Sequence, residues 1–387
     1  MSPELQAQLT RLRHDLHKIP EVSGAEEKTA AVIAGFLRSH APDALLTGLG
    51  GHGVVAVYEG AEDGPAVLIR CELDGLPITE ISGLPYRSAH PGRGHLCGHD
   101  GHMAMVAGLA VQLAEQRPAK GRVVLLFQPS EETGKGAAAV IADPRFQQVA
   151  PDYAFALHNL PGLAVGAVAL CTGPANCASR GLRITLTGKT SHAAAPQDGI
   201  SPAPAIARLL TALPALGPGG GLDEGFALVT VTHAQLGEAA FGIAPGAGEV
   251  WATLRTVTDA RMAELSAAAE ALAQQAASEA GLQISIAYDD VFEACSNHPD
   301  ATEILKTACE TAGYPAKLRR EPQRWSEDFG QFGKQAKAAM FWLGSGTEQP
   351  QLHNPDYDFP DAAIPAGLAV FREAVNAILG GAAARNS

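Results

Sequence analysis

Positive charge is in short supply in this sequence. Its 387 residues carry 28 Lys and Arg against 41 Asp and Glu, a formal net charge of −13. Binding to nucleic-acid phosphates relies on Lys and Arg displacing counterions, so this balance argues against a nucleic-acid partner. Plain solubility accounts for the acidity. Aromatic residues are scarce at 5%, yet 46% hydrophobic content suffices for a sizeable interior. Cysteine is sparse and scattered, at 71, 97, 171, 177, 295 and 309. That spacing lacks the density of a disulfide scaffold and makes reduced thiols the expectation. Long apolar runs are missing as well. The longest, residues 103–114, falls far short of the ~20 residues that span a bilayer. Residues 1–16 carry Glu4, Arg11, Arg13 and Asp15 and have no apolar core of signal-peptide type. A soluble cytoplasmic protein without a membrane partner is expected, long enough for two domains or one large one.

What the sequence does contain is one stretch of dense chemistry, His95-Leu96-Cys97-Gly98-His99-Asp100-Gly101-His102. Cys97 and His99 lie two positions apart, so in an extended or turning backbone they reach one metal site. Gly98 and Gly101 give the chain the freedom to turn. Core filler is the alternative for so short a motif.

Apolar periodicity predicts helices over 3–18, with Leu5, Leu9, Leu12 and Leu16 on one side, and over 26–40. Strands are expected at 53–58 and 66–71, joined by the charged turn 59–65, then a helix at 102–115 and a strand at 122–127. The strand 66–71 runs into Glu72-Leu73-Asp74-Gly75, and acidic residues at the carboxyl end of a buried strand are where an open α/β sheet presents its chemistry. The strand 122–127 runs into Gln128-Pro129-Ser130-Glu131-Glu132. Adjacent carboxylates after an apolar strand are costly unless a cation or hydrogen bonds compensate. A solvated acidic loop is the alternative. A strand at 153–157 ends in His158-Asn159, and a strand at 341–343 precedes Leu352-His353-Asn354-Pro355. Together these segments supply a thiolate, three imidazoles and a carboxylate.

Between 181 and 291 the character changes. Strand 182–187, helix 202–216, strands 227–232 and 249–257, helix 260–280 and strand 282–288 give the order βαββαβ, a compact α+β module inserted into a discontinuous first domain of 1–180 and 292–387. The glycine run 217–221 and the polar stretch 295–302 read as connections, and the tail 380–387 as frayed.

The set Arg13-His-Asp-Leu-His17 with Pro20-Glu21, Asp74-Gly-Leu-Pro77, Cys97-Gly-His-Asp100, Gln128-Pro-Ser-Glu-Glu132, Leu157-His-Asn159, Ser191-His-Ala-Ala-Ala-Pro196, Ser326-Glu-Asp-Phe329 and Leu352-His-Asn-Pro355 resembles the hippurate hydrolase, N-acyl-amino-acid amidohydrolase and auxin-conjugate hydrolase family. These belong to the wider co-catalytic metallopeptidases, and the motifs cover nearly the whole chain in order. The resemblance implies a mixed-sheet α/β/α catalytic domain with an inserted α+β dimerisation or lid domain. It also implies two divalent metal ions per subunit. Cys97, His99, Glu132, His158 and His353 would be their ligands, and zinc, manganese, cobalt and nickel all suit such a set. Glu131 would be the general base for a water bridging the ions. Asp74 would orient a ligand, or else cap a turn.

His192, in the module, would stabilise the developing oxyanion in the partner subunit of a homodimer, or else be structural. Arg255 is a candidate for a substrate carboxylate or for an ion pair. The module departs from the family at Gly242-Ile-Ala-Pro245-Gly246, where relatives usually have Asn-Val-Ile-Pro-Asp, and this puts substrate range in doubt. His14, His17, His52 and His233 are expected in surface or packing roles. His102 would hydrogen-bond a ligand or cap a helix. The reading that follows is a metal-dependent amidohydrolase of N-acylated amino acids. A dipeptidase or aminopeptidase of the same architecture is the first alternative, and a metal-containing binding protein without turnover the second.

Overall fold

Helix formation begins at the first residues. Ser2 accepts a hydrogen bond from the Leu5 amide, Pro3 occupies the first turn, and helix α1 runs Pro3–His17. Leu9, Leu12 and Leu16 face inward as their spacing predicts. The computed structural model describes residues 1–380, so the expected fraying of the tail falls outside them save for Gly380. Their contacts divide them into two units, one of residues 1–175, 296–320 and 328–380, the other of 176–295 and 321–327.

The first unit is built on a mixed eight-stranded sheet. After α2 (Glu27–Arg38) come β1 (Ala44–Leu49), β2 (Gly53–Glu59), β3 (Glu62–Glu72), α3 (His99–Glu115), β4 (Lys120–Gln128), β5 (Tyr153–Pro161) and β6 (Val168–Cys171). The sheet order is β1, β2, β4, β3, β5, then Lys337–Gly346, β6 and Lys317–Arg319. The two strands expected at 53–58 and 66–71 are therefore not neighbours. β4 lies between them, antiparallel to β2 and parallel to β3, because the α3 crossover returns the chain alongside β3. β5 is parallel to β3 and to Lys337–Gly346. The carboxyl ends of β3, β4 and β5 thus lie side by side.

Helix α3 explains the depth of this core. Every residue from His99 to Ala110 is buried, as expected for an interior helix that is apolar all round. Gly101 is obligatory there, since a Cβ would lie 2.4 Å from the Phe359 ring. Several charged groups near α3 are paired. Arg13, fully buried, meets Asp100 at 3.1 Å, Asp358 at 2.7 Å and Asp361 at 2.6 Å. Such a cluster adds little net stability, but removing one partner typically costs about 3–5 kcal/mol because buried charge is stranded.

Three expectations change. The stretch 295–302, read as a connection, contains the start of helix Pro299–Thr311, capped by His298 and opened by Pro299. The strand β1 was not anticipated, half of its residues being exposed at the sheet edge. The longest apolar element is the segment Asp361–Leu379, which is long and apolar enough to cross a membrane but lies 56% buried as a core element of this unit.

In the second unit, four antiparallel strands are ordered Ala227–Leu236, Ala247–Thr256, Ala178–Thr187 and Gln283–Phe292. Helices Ala203–Leu216 and Asp259–Glu279 supply Leu209, Leu213, Met262, Leu265, Ala269 and Ala273 to the same core as Leu182, Ile184 and Leu254. A short pair, Ser191–His192 with Ile243–Ala244, stands apart from this sheet.

Candidate metal centre

The turn into α3 places the first donors. Gly98 has φ 92°, a left-handed conformation natural only to glycine, and a Cβ there would also lie 2.5 Å from the side-chain oxygen of Asn159. His99 is the first helical residue, so Cys97 and His99 share a site through this turn and not through an extended run. β5 continues through His158 and Asn159, and Cys97 Sγ stands 3.4 Å from His158 Nε2.

Both imidazoles are oriented from behind. His99 Nδ1 donates to the Asp74 carbonyl at 2.7 Å, and His158 Nδ1 donates to the Asn159 carbonyl at 2.8 Å. Each Nε2 is left facing the cluster, the arrangement that metal-binding histidines adopt. Beyond β4, Glu131, Glu132 and Thr133 form a single helical turn. Glu132 lies 3.9 Å from His99 Nε2 and 3.5 Å from His353 Nε2, and Glu131 lies 3.9 Å from His99 Nε2. The donor atoms of Cys97, His99 and His158 form one close group, those of Cys97, Glu132 and His353 a second, and those of His99, Glu131 and Glu132 a third.

The chemistry of this donor set fits cations. His99 Nε2 and Glu132 Oε1 are buried and have no hydrogen-bond partner. Burial, with Glu132 and Glu131 adding repulsion, raises the Cys97 thiol well above its ordinary range. Burial also disfavours charge on His99, yet Asp74, Glu72 and Glu132 together push its pKa up to about 10. A group of acceptors this concentrated needs positive charge, whether from protons or from metal.

Asp74 does more than a turn cap. Its Oδ2 accepts the Glu132 amide at 3.0 Å and the Ser23 hydroxyl at 2.7 Å, while its carbonyl holds His99. His102 lies between the Glu72 carboxylate, 2.6 Å from Nδ1, and the Asn159 side-chain oxygen, 2.5 Å from Nε2. Asn159 Nδ2 in turn donates to the Tyr357 hydroxyl at 2.6 Å. The sequence motifs contain Glu72 and Asn159 but assign neither a role, and they do not include Tyr357. For Glu72 the signal was present, since it lies two positions before Asp74 at the end of a strand. Arg70 binds Glu72 and Asp328, so a guanidinium already neutralises this corner. Of the surface and packing alternatives for His17 the structure takes the second, with the ring fully buried and Nδ1 2.8 Å from Asp100.

His192 and Arg255 belong to the second unit. His192 is exposed and its Nδ1 accepts the Ala194 amide at 3.0 Å. Arg255 Nη1 donates to the Arg324 carbonyl at 2.6 Å and to the Ser326 hydroxyl at 2.9 Å. Among the described residues it has no carboxylate partner. The Gly242 carbonyl accepts the Ala193 amide at 3.1 Å, and a side chain at Gly242 would meet no atom within 4 Å.

The model of peptidase family M20/M25/M40 matches residues 68–377. The chain belongs to this family. It is 31% identical over 365 residues to the N-acetyl-L-cysteine deacetylase of Bacillus subtilis, covering 93% of this chain and 85% of that one. It is 30% identical over 355 residues to the N-acetyldiaminopimelate deacetylase of Exiguobacterium sibiricum, covering 92% and 95%. Among solved structures it is similar to the Bacillus subtilis YXEP protein, a dinuclear metal-binding peptidase from the M20 family, with TM-score 0.82, 26% identity and coverage of 98% and 99%. This M20 chain is a hydrolase of amide bonds, with the mixed α/β fold of its relatives.

Proposed function

We propose that this protein hydrolyses the amide of N-acylated amino acids at a two-metal centre held by Cys97, His99, Glu132, His158 and His353. The observation that carries this reading is the pair of buried ligand atoms without hydrogen-bond partners, His99 Nε2 and Glu132 Oε1, one in each of the two groups that share Cys97. The dinuclear description of the YXEP protein supports the metal count. When bound, divalent ions would lower the pKa of a water and polarise the scissile carbonyl.

Glu131 does the proton work. It is 5% exposed and, like Glu132, approaches His99 Nε2 to 3.9 Å, so it is placed to take a proton from the attacking water and deliver it to the leaving nitrogen. Asp74 keeps His99 and the Glu132 amide in place through the bonds described above. In the second unit, Arg255 retains unspent donors and is our choice for the substrate carboxylate. We also infer a homodimer through the second unit, with His192 acting in the partner's site. Phe241, Ile243, Leu236 and Trp251 are exposed there, an apolar set suited to burial against a second copy. All six cysteines are free and buried, which fits a reducing compartment such as the cytoplasm.

The deciding experiment measures amine release from N-acetyl amino acids, N-benzoyl amino acids and unblocked dipeptides. Chelated protein is used, with zinc, manganese, cobalt or nickel added back. Metal-dependent release from the acylated set is expected, with N-acetyl substrates ahead, as the names of the relatives suggest. Faster cleavage of unblocked dipeptides than of every acylated substrate would contradict the proposal.

A further inference from the structure

Ser130 precedes the acidic turn in a left-handed conformation, φ 54° and ψ 38°. Only four described non-glycine residues have positive φ, namely Ala41, Ser130, Asp290 and His353. A serine adopts this region at a cost and stays there only when its surroundings over-determine it. What holds Ser130 is a carboxylate from far away in the chain. Glu26 Oε1 accepts the Ser130 amide at 2.8 Å and the Ser130 hydroxyl at 3.2 Å, across a separation of 104 residues. The same oxygen accepts the Gly24 amide at 2.9 Å, and Glu26 is fully buried.

Glu26 occupies the cap position of α2 but makes no capping hydrogen bond. Its Oε1 serves Ser130 and Gly24 instead, and its buried Oε2 has no hydrogen-bond partner, so helix capping does not explain a buried carboxylate here. On the other side of Glu131, the Glu132 amide is held by Asp74, itself bonded to Ser23. The segment 23–26 therefore grips both amides that bracket Glu131, one directly and one through Asp74. With Ser130 released to negative φ, the backbone would leave this turn by another path, and Glu131 and Glu132 would lose their shared approach to His99.

We infer that Glu26 is a positioning residue, clamping left-handed Ser130 so that Glu131 and Glu132 face the site. The inference rests on the proposed roles of those two glutamates as base and ligand. Its test is a double-mutant cycle of Glu26→Ala and Ser130→Gly, with Glu26→Gln alongside. The readouts are kcat and KM on the N-acetyl amino acid turned over fastest, and Zn²⁺ affinity by competition with a chromogenic chelator.

Glu26→Ala is expected to weaken Zn²⁺ binding by roughly 10–100-fold and to lower kcat similarly, with KM moving less. Glu26→Gln keeps an acceptor oxygen and should lose at least about tenfold less. Glycine needs no clamp to hold positive φ, so in the Ser130→Gly background Glu26→Ala should cost less than about threefold. An equal cost in both backgrounds would show a general structural role and overturn the inference. So would unchanged Zn²⁺ affinity and kcat in Glu26→Ala. If the wild type releases no amine from any substrate, the amidohydrolase reading falls while the Zn²⁺ measurements still decide on the clamp.

Discussion

The five donors are held in two different ways. Cys97, His99 and His158 stand on the entry to α3 and on β5, and they are 6%, 0% and 3% exposed. Glu132 and His353 stand on turns, and the His353 side chain is 49% exposed. Helix, strand and the hydrogen bonds to Asp74 and Asn159 fix the buried three. Glu132 follows a strained backbone, and His353 itself has φ 67°. One side of the cluster is thus an immobile floor, and the other is a wall that solvent and substrate can approach. Precision comes from regular structure, while access comes from turns.

The largest expected effect separates chemistry from metal holding. Glu131→Gln removes the proposed base and leaves the five proposed ligands, so kcat should fall by roughly 10²–10⁴-fold with Zn²⁺ uptake unchanged. Near-wild-type turnover would remove Glu131 as the base.

Next comes the contrast between floor and wall. His99→Ala should weaken Zn²⁺ binding more than about a hundredfold, because it also strands Glu132 and Asp74. His353→Ala, at the exposed edge, should cost nearer tenfold, since water can take its place. Chelator competition measures both, and equal losses would dissolve the distinction.

A smaller effect concerns the support beneath the floor. Burial opposes charge on His17, but Asp100 and Glu80 outweigh it and push its pKa up to about 10 from an ordinary 6.5. A raised pKa stabilises the fold below the unfolded value, and that stability is lost as pH rises through the folded value. Urea midpoints should therefore decline between about pH 6.5 and 10, a change on the order of a few kcal/mol. His17→Asn should be less stable at pH 6.5 and show a flatter profile. A profile as steep as that of the wild type would assign the slope to other groups.

The same two regions differ in how openly the sequence announces them. Cys97-Gly-His99 and Glu131-Glu132 declare their chemistry by composition, and the strands before them by apolar runs. The geometry joining them is not legible locally. Nothing in the residues near Glu26 tells that its carboxylate reaches Ser130, or that β4 inserts between β2 and β3, because both depend on contacts between distant segments. The helix Pro299–Thr311 went unread for a different reason, since its polar first turn resembles a loop until Leu305, Ala308 and Cys309 are seen to pack inward. For His17, a histidine on an amphipathic helix gives no hint that its packing partner is a buried carboxylate 83 residues away.

Cobalt titration of the metal-free protein tests the two-metal reading most directly. Two equivalents of Co²⁺ should bind, with a sulfur-to-metal absorption band that Cys97→Ser abolishes and His192→Ala leaves in place. Saturation at one equivalent or fewer, or a band that survives the loss of Cys97, would contradict a two-ion centre built on this thiolate.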